Sequence, residues 1–239
     1  MPRFLYLDSM APGQVVCLSR EESHHLFNVL RIREHAPVEL VDGKGAIASG
    51  TVSKAAKNAT EVLLSTVESR PRSSRIRLCF SLAKHQATEF LVRRCTELGV
   101  SAFQPLITDF GMPAKAWKRD RWERVVEEVC KQCQEVWFPE VCEPIAFDDW
   151  IGAASDRTIV ACDENDRGAK PEVEKLGDCD LALGAEGGWS EGERRLLNEK
   201  AIGLGLGSNR LRTETASLVA LTLLKEKMGE LQPVLVSTV

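Results

Sequence analysis

The apolar segments of this chain change rhythm once. Up to about residue 72 they are short and extended with turns between them, and beyond it strand-like runs alternate with helix-like runs. A chain with two such rhythms predicts two domains of different architecture. The change falls at SRPRSSR (69–75), a polar stretch with one proline and three arginines. We place the boundary there, giving domains 1–72 and 73–239.

In the first region the segments RFLYL, QVVCL, PVELVDG, AIASGTV and TEVLLSTV read as strands, with turns such as Asp42-Gly43-Lys44-Gly45 between them. One helix interrupts them. Ser19 with Glu22 three residues later has the capping-box pattern, and Leu26, Val29, Leu30 and Arg33 follow at helical spacing. A small β-barrel or curled sheet carrying one helix is expected.

In the second region RIRLCFSL reads as a strand, HQATEFLVRRCTELG as a helix closed by Gly99, and VSAFQPLI as a strand. A helix from about Lys118 to Gln134 follows, then the strand RTIVACD, a short helix, the strand DLALG, a helix, and the strand AIGLGLG. The last helix runs from about Glu214 to Leu231. This alternation predicts an α/β domain with a parallel sheet covered on both faces.

Composition narrows the function. With 239 residues, 44% hydrophobic and 28% charged, the chain can bury a sizeable core. It has no apolar run of about 18 residues and no basic-then-apolar leader in MPRFLYLDSM, so a cytoplasmic location is expected. Eight scattered cysteines suit free thiols better than a stapled miniature domain. A formal net charge of -4 argues against a non-specific polyanion binder, so any RNA contact must rely on local positive charge.

The chemistry concentrates in two strand-to-helix junctions. In DLALGAEGGWSEGE an apolar strand ends at Gly184, a loop of small residues carries Glu186, and Ser190 with Glu193 caps the next helix. Gly187 and Gly188 permit backbone angles and close approaches that side chains forbid. In AIGLGLGSNRLRTETASLVAL the second junction brings Arg210, Arg212, Glu214 and Thr215 to the same sheet edge. Two adjacent loops of this kind make a ligand pocket beside exposed backbone N–H groups.

Other readings are weaker. The glycines at 203, 205 and 207 are followed by one helix and a tail, whereas a Rossmann fingerprint needs a further half-sheet with an acidic residue on the next strand. No Walker lysine follows them. Cys130-Lys131-Gln132-Cys133 lies inside an amphipathic helix with no second cysteine pair, so core thiols are expected rather than a redox or zinc site. No metal site is expected at His24-His25 either, since adjacent helical residues diverge and no ligand cluster accompanies them.

Taken together, HHLFNVLR (24–31), Lys84 with ATEFLVRRCTELGV (87–100), RWERVVEEVCKQC (121–133), LGAEGGWSEGE (183–193) and LRTETASLVAL (211–221) resemble the RsmE family of the SPOUT superfamily. Members of that family are 16S rRNA uridine-N3 methyltransferases. The likeness runs in family order over nearly the whole chain. It implies a PUA-like N-terminal barrel, a C-terminal SPOUT trefoil-knot domain, a homodimer, S-adenosylmethionine as cofactor, and 16S rRNA in the small subunit as partner. It also implies a cofactor pocket of Leu183, Gly184, Glu186, Gly187 and Gly188 with Leu206, Gly207, Leu211, Arg212, Glu214 and Thr215.

Three departures stand out. GAEGGW replaces the usual GPEGGF, losing rigidity at Ala185. GSNRLR replaces GPRILR, which removes a charge at Asn209 and supplies one at Arg210. KQCQEVW stands where EQSGR is typical.

Methyl transfer to uridine N3 needs an unpaired base and loss of the N3 proton. Arg212 is the expected catalytic cation for the uracil anion, with Glu214 orienting the base or relaying the proton. Arg3, His24, His25, Arg31, Arg33 and Lys84 are the expected RNA contacts.

Overall fold

The computed structural model describes residues 1–72, 74–153, 157–163 and 177–231. They divide into two compact units: 1–72 with 130–138, and the described residues of 73–129 and 139–239. The segment 130–138, which a contiguous split at 72 assigns to the second domain, therefore belongs with the first unit.

The first unit contains β1 (Arg3–Leu5), β2 (Val15–Cys17), α1 (Arg20–His24), β3 (Pro37–Val41), β4 (Ala46–Lys54) and β5 (Glu61–Ser69). The strands form a curled sheet in the order β1-β3-β4-β5-β2. β1 runs parallel to β3 and the other pairs are antiparallel. β5 alternates as a one-sided strand should, with Val62 and Leu64 buried and Leu63 exposed. Phe4, Val16, Leu26, Val38, Leu40, Val52, Val62 and Leu64 build one core, and Val136, with Trp137 and Phe138, covers Val41 and Ile47. Gly43 and Gly45 have positive φ, and a Cβ at Gly45 would lie 2.5 Å from the Trp137 ring, so this turn is moulded to 130–138.

The helix here differs from its expected form. Ser19 accepts from the Glu22 N–H at 3.2 Å, but the Glu22 carboxylate turns to Lys131 (2.7 Å) instead of closing a capping box. Regular helix ends at His24, and His25–Val29 form a π turn in which the Leu30 N–H reaches the His25 carbonyl at 2.9 Å. Val29 and Leu30 are consequently exposed, and Arg33 lies beyond the helix.

The second unit contains β6 (Ile76–Ser81), α2 (His85–Glu97), β7 (Ala102–Ile107), α3 (Arg119–Cys133, whose last turn belongs to the first unit), β8 (Glu140–Val141), β9 (Ile145–Ala146), α4 (Phe147–Gly152), β10 (Thr158–Cys162), β11 (Cys179–Leu183), α5 (Glu191–Lys200), β12 (Ile202–Gly203) and α6 (Thr213–Lys227). The sheet order is β12-β10-β11-β6-β7-β8, with β9 also on β7, and every pairing is parallel. β11 is buried at all five positions, as a strand covered on both faces must be. α4 and α5 pack over Cys79, Leu106, Ala161 and Ala182, while α6 packs on α2 and β11.

Sequence patterning misses β8, β9 and α4, which are too short to show a period. It also extends AIGLGLG too far. β12 stops at Gly203 as β10, its neighbour among the described residues, ends at Cys162; one further bond, Leu204 N–H to Ala161 carbonyl, closes the ladder. α6 ends at Lys227, not Leu231, through the left-handed Gly229. The short helix expected between 163 and 180 falls outside the described residues. All eight cysteines are thiols, and among the described residues no helix is long and apolar enough to cross a membrane.

Candidate active site

The carboxyl ends of β10, β11 and β12 lie side by side, where open parallel sheets bind ligands. A cavity of about 670 Å³ occupies this edge, a size suited to a small-molecule cofactor.

The loop after β11 forms its first wall. Ala185 to Gly188 make a tight turn in which the Gly188 N–H reaches the Ala185 carbonyl at 2.8 Å, and Gly188 sits at φ +75°. A Cβ on Gly184 would come within 3.0 Å of the Gly188 carbonyl carbon, so any side chain there would crowd the turn. Ser190 and Glu193 then complete a full capping box on α5. Glu193 is buried, and its second oxygen accepts from the Asp109 N–H at 2.9 Å, tying this helix start to the loop after β7.

The loop after β12 forms the opposite wall. Gly207 has φ +105°, and the chain then crosses the mouth through Ser208 to Leu211 before entering α6. Arg212 occupies the N-cap position of α6 in extended conformation, with its carbonyl accepting from the Ala216 N–H at 2.8 Å. Its side chain is solvent-exposed, and Glu214 stands in the first helical turn. Arg210 reaches the Glu186 carbonyl at 3.5 Å, joining the two loops.

Of the expected cofactor residues, Leu183, Gly184, Glu186, Gly188, Leu206, Gly207, Leu211, Arg212 and Glu214 line this cavity. Gly187 and Thr215 do not: a Cβ on Gly187 would meet the Phe110 ring at 3.4 Å instead. Sequence reasoning missed Cys162, Asp163, Trp189 and Leu204, which also line it. Asp163 ends the strand RTIVACD at the same edge, and that position was its readable signal. Its carboxylate pairs with Arg194 at 2.6 Å. The Trp189 indole N–H donates to the Cys162 carbonyl at 3.0 Å, and burial pushes the Cys162 thiol up to about 12.

The lining suits a ligand with an apolar ring system and a cationic centre. Leu183, Leu204, Leu206 and Leu211 offer apolar wall, while Asp163, Glu186 and Glu214 offer carboxylates. Arg210 and Arg212 place positive charge at the same mouth.

The expected RNA residues are spread over both units. Arg3 is a correction: it is buried on β1, and Glu39 on the adjacent strand takes its guanidinium at 2.8 Å, so it braces the sheet. His24, His25, Arg31 and Arg33 are exposed around the π turn. The His25 ring lies edge-on to Phe4, Arg31 adopts φ +54°, and the Arg33 guanidinium stacks 4.9 Å from the Phe27 ring centre. Lys84 is exposed at the N-cap of α2 in the second unit.

Comparison with known proteins gives a consistent result. An RNA methyltransferase domain family matches residues 70–225, and an RNA methyltransferase PUA domain family matches residues 18–64. The ribosomal RNA small subunit methyltransferase E of Synechocystis is 30% identical over 226 residues, covering 89% of this chain and 74% of that protein. The crystal structure of the enzyme of the same name from Neisseria gonorrhoeae, bound to S-adenosyl methionine, superposes with a TM-score of 0.87 at 29% identity over 95% of this chain and 97% of that one. A putative methyltransferase from Legionella pneumophila, in complex with the bound cofactor SAM, gives 0.80 at 27% identity over 94% and 97%.

Proposed function

This chain belongs to the RNA methyltransferase family of the RsmE type, and on that premise we propose that it methylates N3 of a uridine in 16S ribosomal RNA with S-adenosylmethionine as donor. The observation that carries this reading is the cavity formed by the glycine turn after β11 and the loop leading to α6. Its mixed apolar and acidic lining fits a cofactor with an adenine ring, an ammonium and a sulfonium.

S-adenosylmethionine supplies an activated methyl group, so the protein must position the acceptor and manage the N3 proton. The cavity leucines would line the adenine, and Glu186 and Glu214 would face the positive end. Arg212, exposed at the cavity and at the positive end of α6, stabilises negative charge on the uracil ring as the proton departs. Glu214, in the first turn of the helix, orients the base or receives its proton. Water exclusion on closure of the RNA over the mouth strengthens both interactions.

The same reading makes the protein a cytoplasmic homodimer with a trefoil-knotted catalytic domain. α6 supports the dimer: it is apolar around most of its circumference, and Leu223 remains 39% exposed. The N-terminal unit contributes RNA contacts from His24, His25, Arg31 and Arg33, with Lys84 in the second unit.

The test is incubation of labelled cofactor with unmethylated small ribosomal subunits, followed by mass mapping of the RNA. Methyl on a uracil N3 is expected. Methyl on another base or a ribose hydroxyl would reassign the reaction, and cofactor-independent RNA binding without transfer would make the protein an assembly factor.

A further inference from the structure

The loop after β7, residues 108–118, carries an exposed phenyl ring that the cofactor cavity does not use. Phe110 is 57% exposed, yet its backbone is firmly held. The Asp109 N–H donates to buried Glu193, the Met112 N–H donates to the Leu82 carbonyl at 2.7 Å, and the Ser81 and Thr108 hydroxyls share a hydrogen bond. A Cβ on Gly111 would fall 2.6 Å from Ser81 Oγ, so the loop lies tightly against β6.

Thus anchored, Phe110 stands against Gly187, on the opposite side of the turn whose Glu186 and Gly188 line the cavity. Further along the loop, Lys115 and Lys118 are exposed, with no ion pair to either among the described residues. Asp109 is the loop's single carboxylate. A fixed aromatic ring followed by unpaired lysines is the composition of a single-strand platform, in which the ring stacks a base and the cations follow the phosphates.

We propose that this loop is an RNA-docking surface, with Phe110 stacking a base of the unpaired strand that delivers the target uridine and Lys115 and Lys118 contacting its phosphates. The inference rests on the rRNA methyltransferase reading of the adjoining site. Phe110 is a positioning residue: it touches the RNA strand and not the reacting atoms.

The experiment measures methyl transfer to unmethylated small subunits, cofactor affinity and oligomeric state for Phe110→Ala, Phe110→Leu and Phe110→Trp. Phe110→Ala and Phe110→Leu are expected to lower kcat/KM for the subunits about 5- to 150-fold, the range that base–aromatic stacking spans. Phe110→Trp is expected to restore it, with cofactor affinity unchanged throughout. Lys115→Ala with Lys118→Ala is expected to flatten the log affinity against log salt slope by roughly 0.7 per lost phosphate contact.

Unchanged transfer by Phe110→Ala, or full rescue by Phe110→Leu, overturns the proposal. A change of oligomeric state in Phe110→Ala also overturns it, by making the ring a contact between copies of the chain. Wild-type protein that transfers no methyl group to RNA removes the functional reading as well, whereas wild-type turnover with an indifferent Phe110 removes this inference alone.

Discussion

The two ends of β11 have opposite characters. Near its start, buried Asp180 accepts hydrogen bonds from Arg77 at 2.9 Å, Arg157 at 2.6 Å and Trp150 Nε1 at 3.0 Å. Arg157 donates onward to the Arg75 and Cys179 carbonyls, both at 2.7 Å. Only three residues later the strand ends at Leu183, and Gly184 opens a turn of small residues beside an open cavity. One end is saturated with complementary charge and closed; the other presents backbone and charged side chains to an open cavity. Stability and function are thus separated along a single strand, as expected where binding loops come from the less constrained part of a domain.

The largest test of that separation is Asp180→Asn. Removing the charge leaves two arginines without their buried counterion, which should cost about 3–5 kcal/mol of unfolding free energy. Denaturant unfolding measures the loss. Cofactor affinity below the folding transition should be unchanged; a large loss of affinity in a stably folded variant would break the comparison.

The same cluster sets an acid limit. Burial pushes the Asp180 carboxyl upward, but hydrogen bonds from Arg77, Trp150 and Arg157 outweigh this and hold it below the usual carboxylate range. A carboxylate depressed in the folded state contributes stability above its unfolded pKa, and that contribution is lost as pH falls through the folded value. Wild type should therefore lose stability below about pH 4 more steeply than Asp180→Asn. Parallel acid titrations of the two proteins would disprove this.

At the other end, Arg212→Ala should lower kcat by about 10²–10³-fold, as expected for a donor to developing negative charge. Its thermal midpoint and cofactor affinity should stay near wild type. Normal turnover would remove Arg212 from the mechanism.

Smaller effects sharpen the picture. At Gly188 only Arg194 Nη2, 3.9 Å away, approaches an added methyl, so Gly188→Ala is limited by its φ of +75° and not by space. It should cost about 1–2 kcal/mol, read as weakened cofactor binding in calorimetry. Ser190→Ala removes the cap of α5 and should lower stability by about 1 kcal/mol, with turnover following through the Glu193 to Asp109 link.

How much of this was legible depended on whether a signal was local. The five strands of the first unit and the main strands and helices of the second follow from apolar period and turn residues. The capping box at Ser190 and Glu193 was readable because cap and partner lie three residues apart. The same pattern at Ser19 misled, because the distant Lys131 competes for the Glu22 carboxylate. Arg3 looked like a free cation for the same reason: its partner Glu39 comes from a strand 36 residues away. Asp163 escaped notice because its place at a strand end becomes informative only once the neighbouring strand ends are known to lie beside it.

By itself the sequence determined two architectures, the glycine-closed turn at 184–188 and the charged entry to the last helix, since these depend on backbone conformations and periodicities that neighbouring residues dictate. Tertiary structure alone decided which charges are neutralised, where β12 stops, that 130–138 belongs with the first unit, and that Phe110 rests against Gly187. Those outcomes depend on groups far apart in the chain competing for the same partner, and local pattern carries no record of that competition.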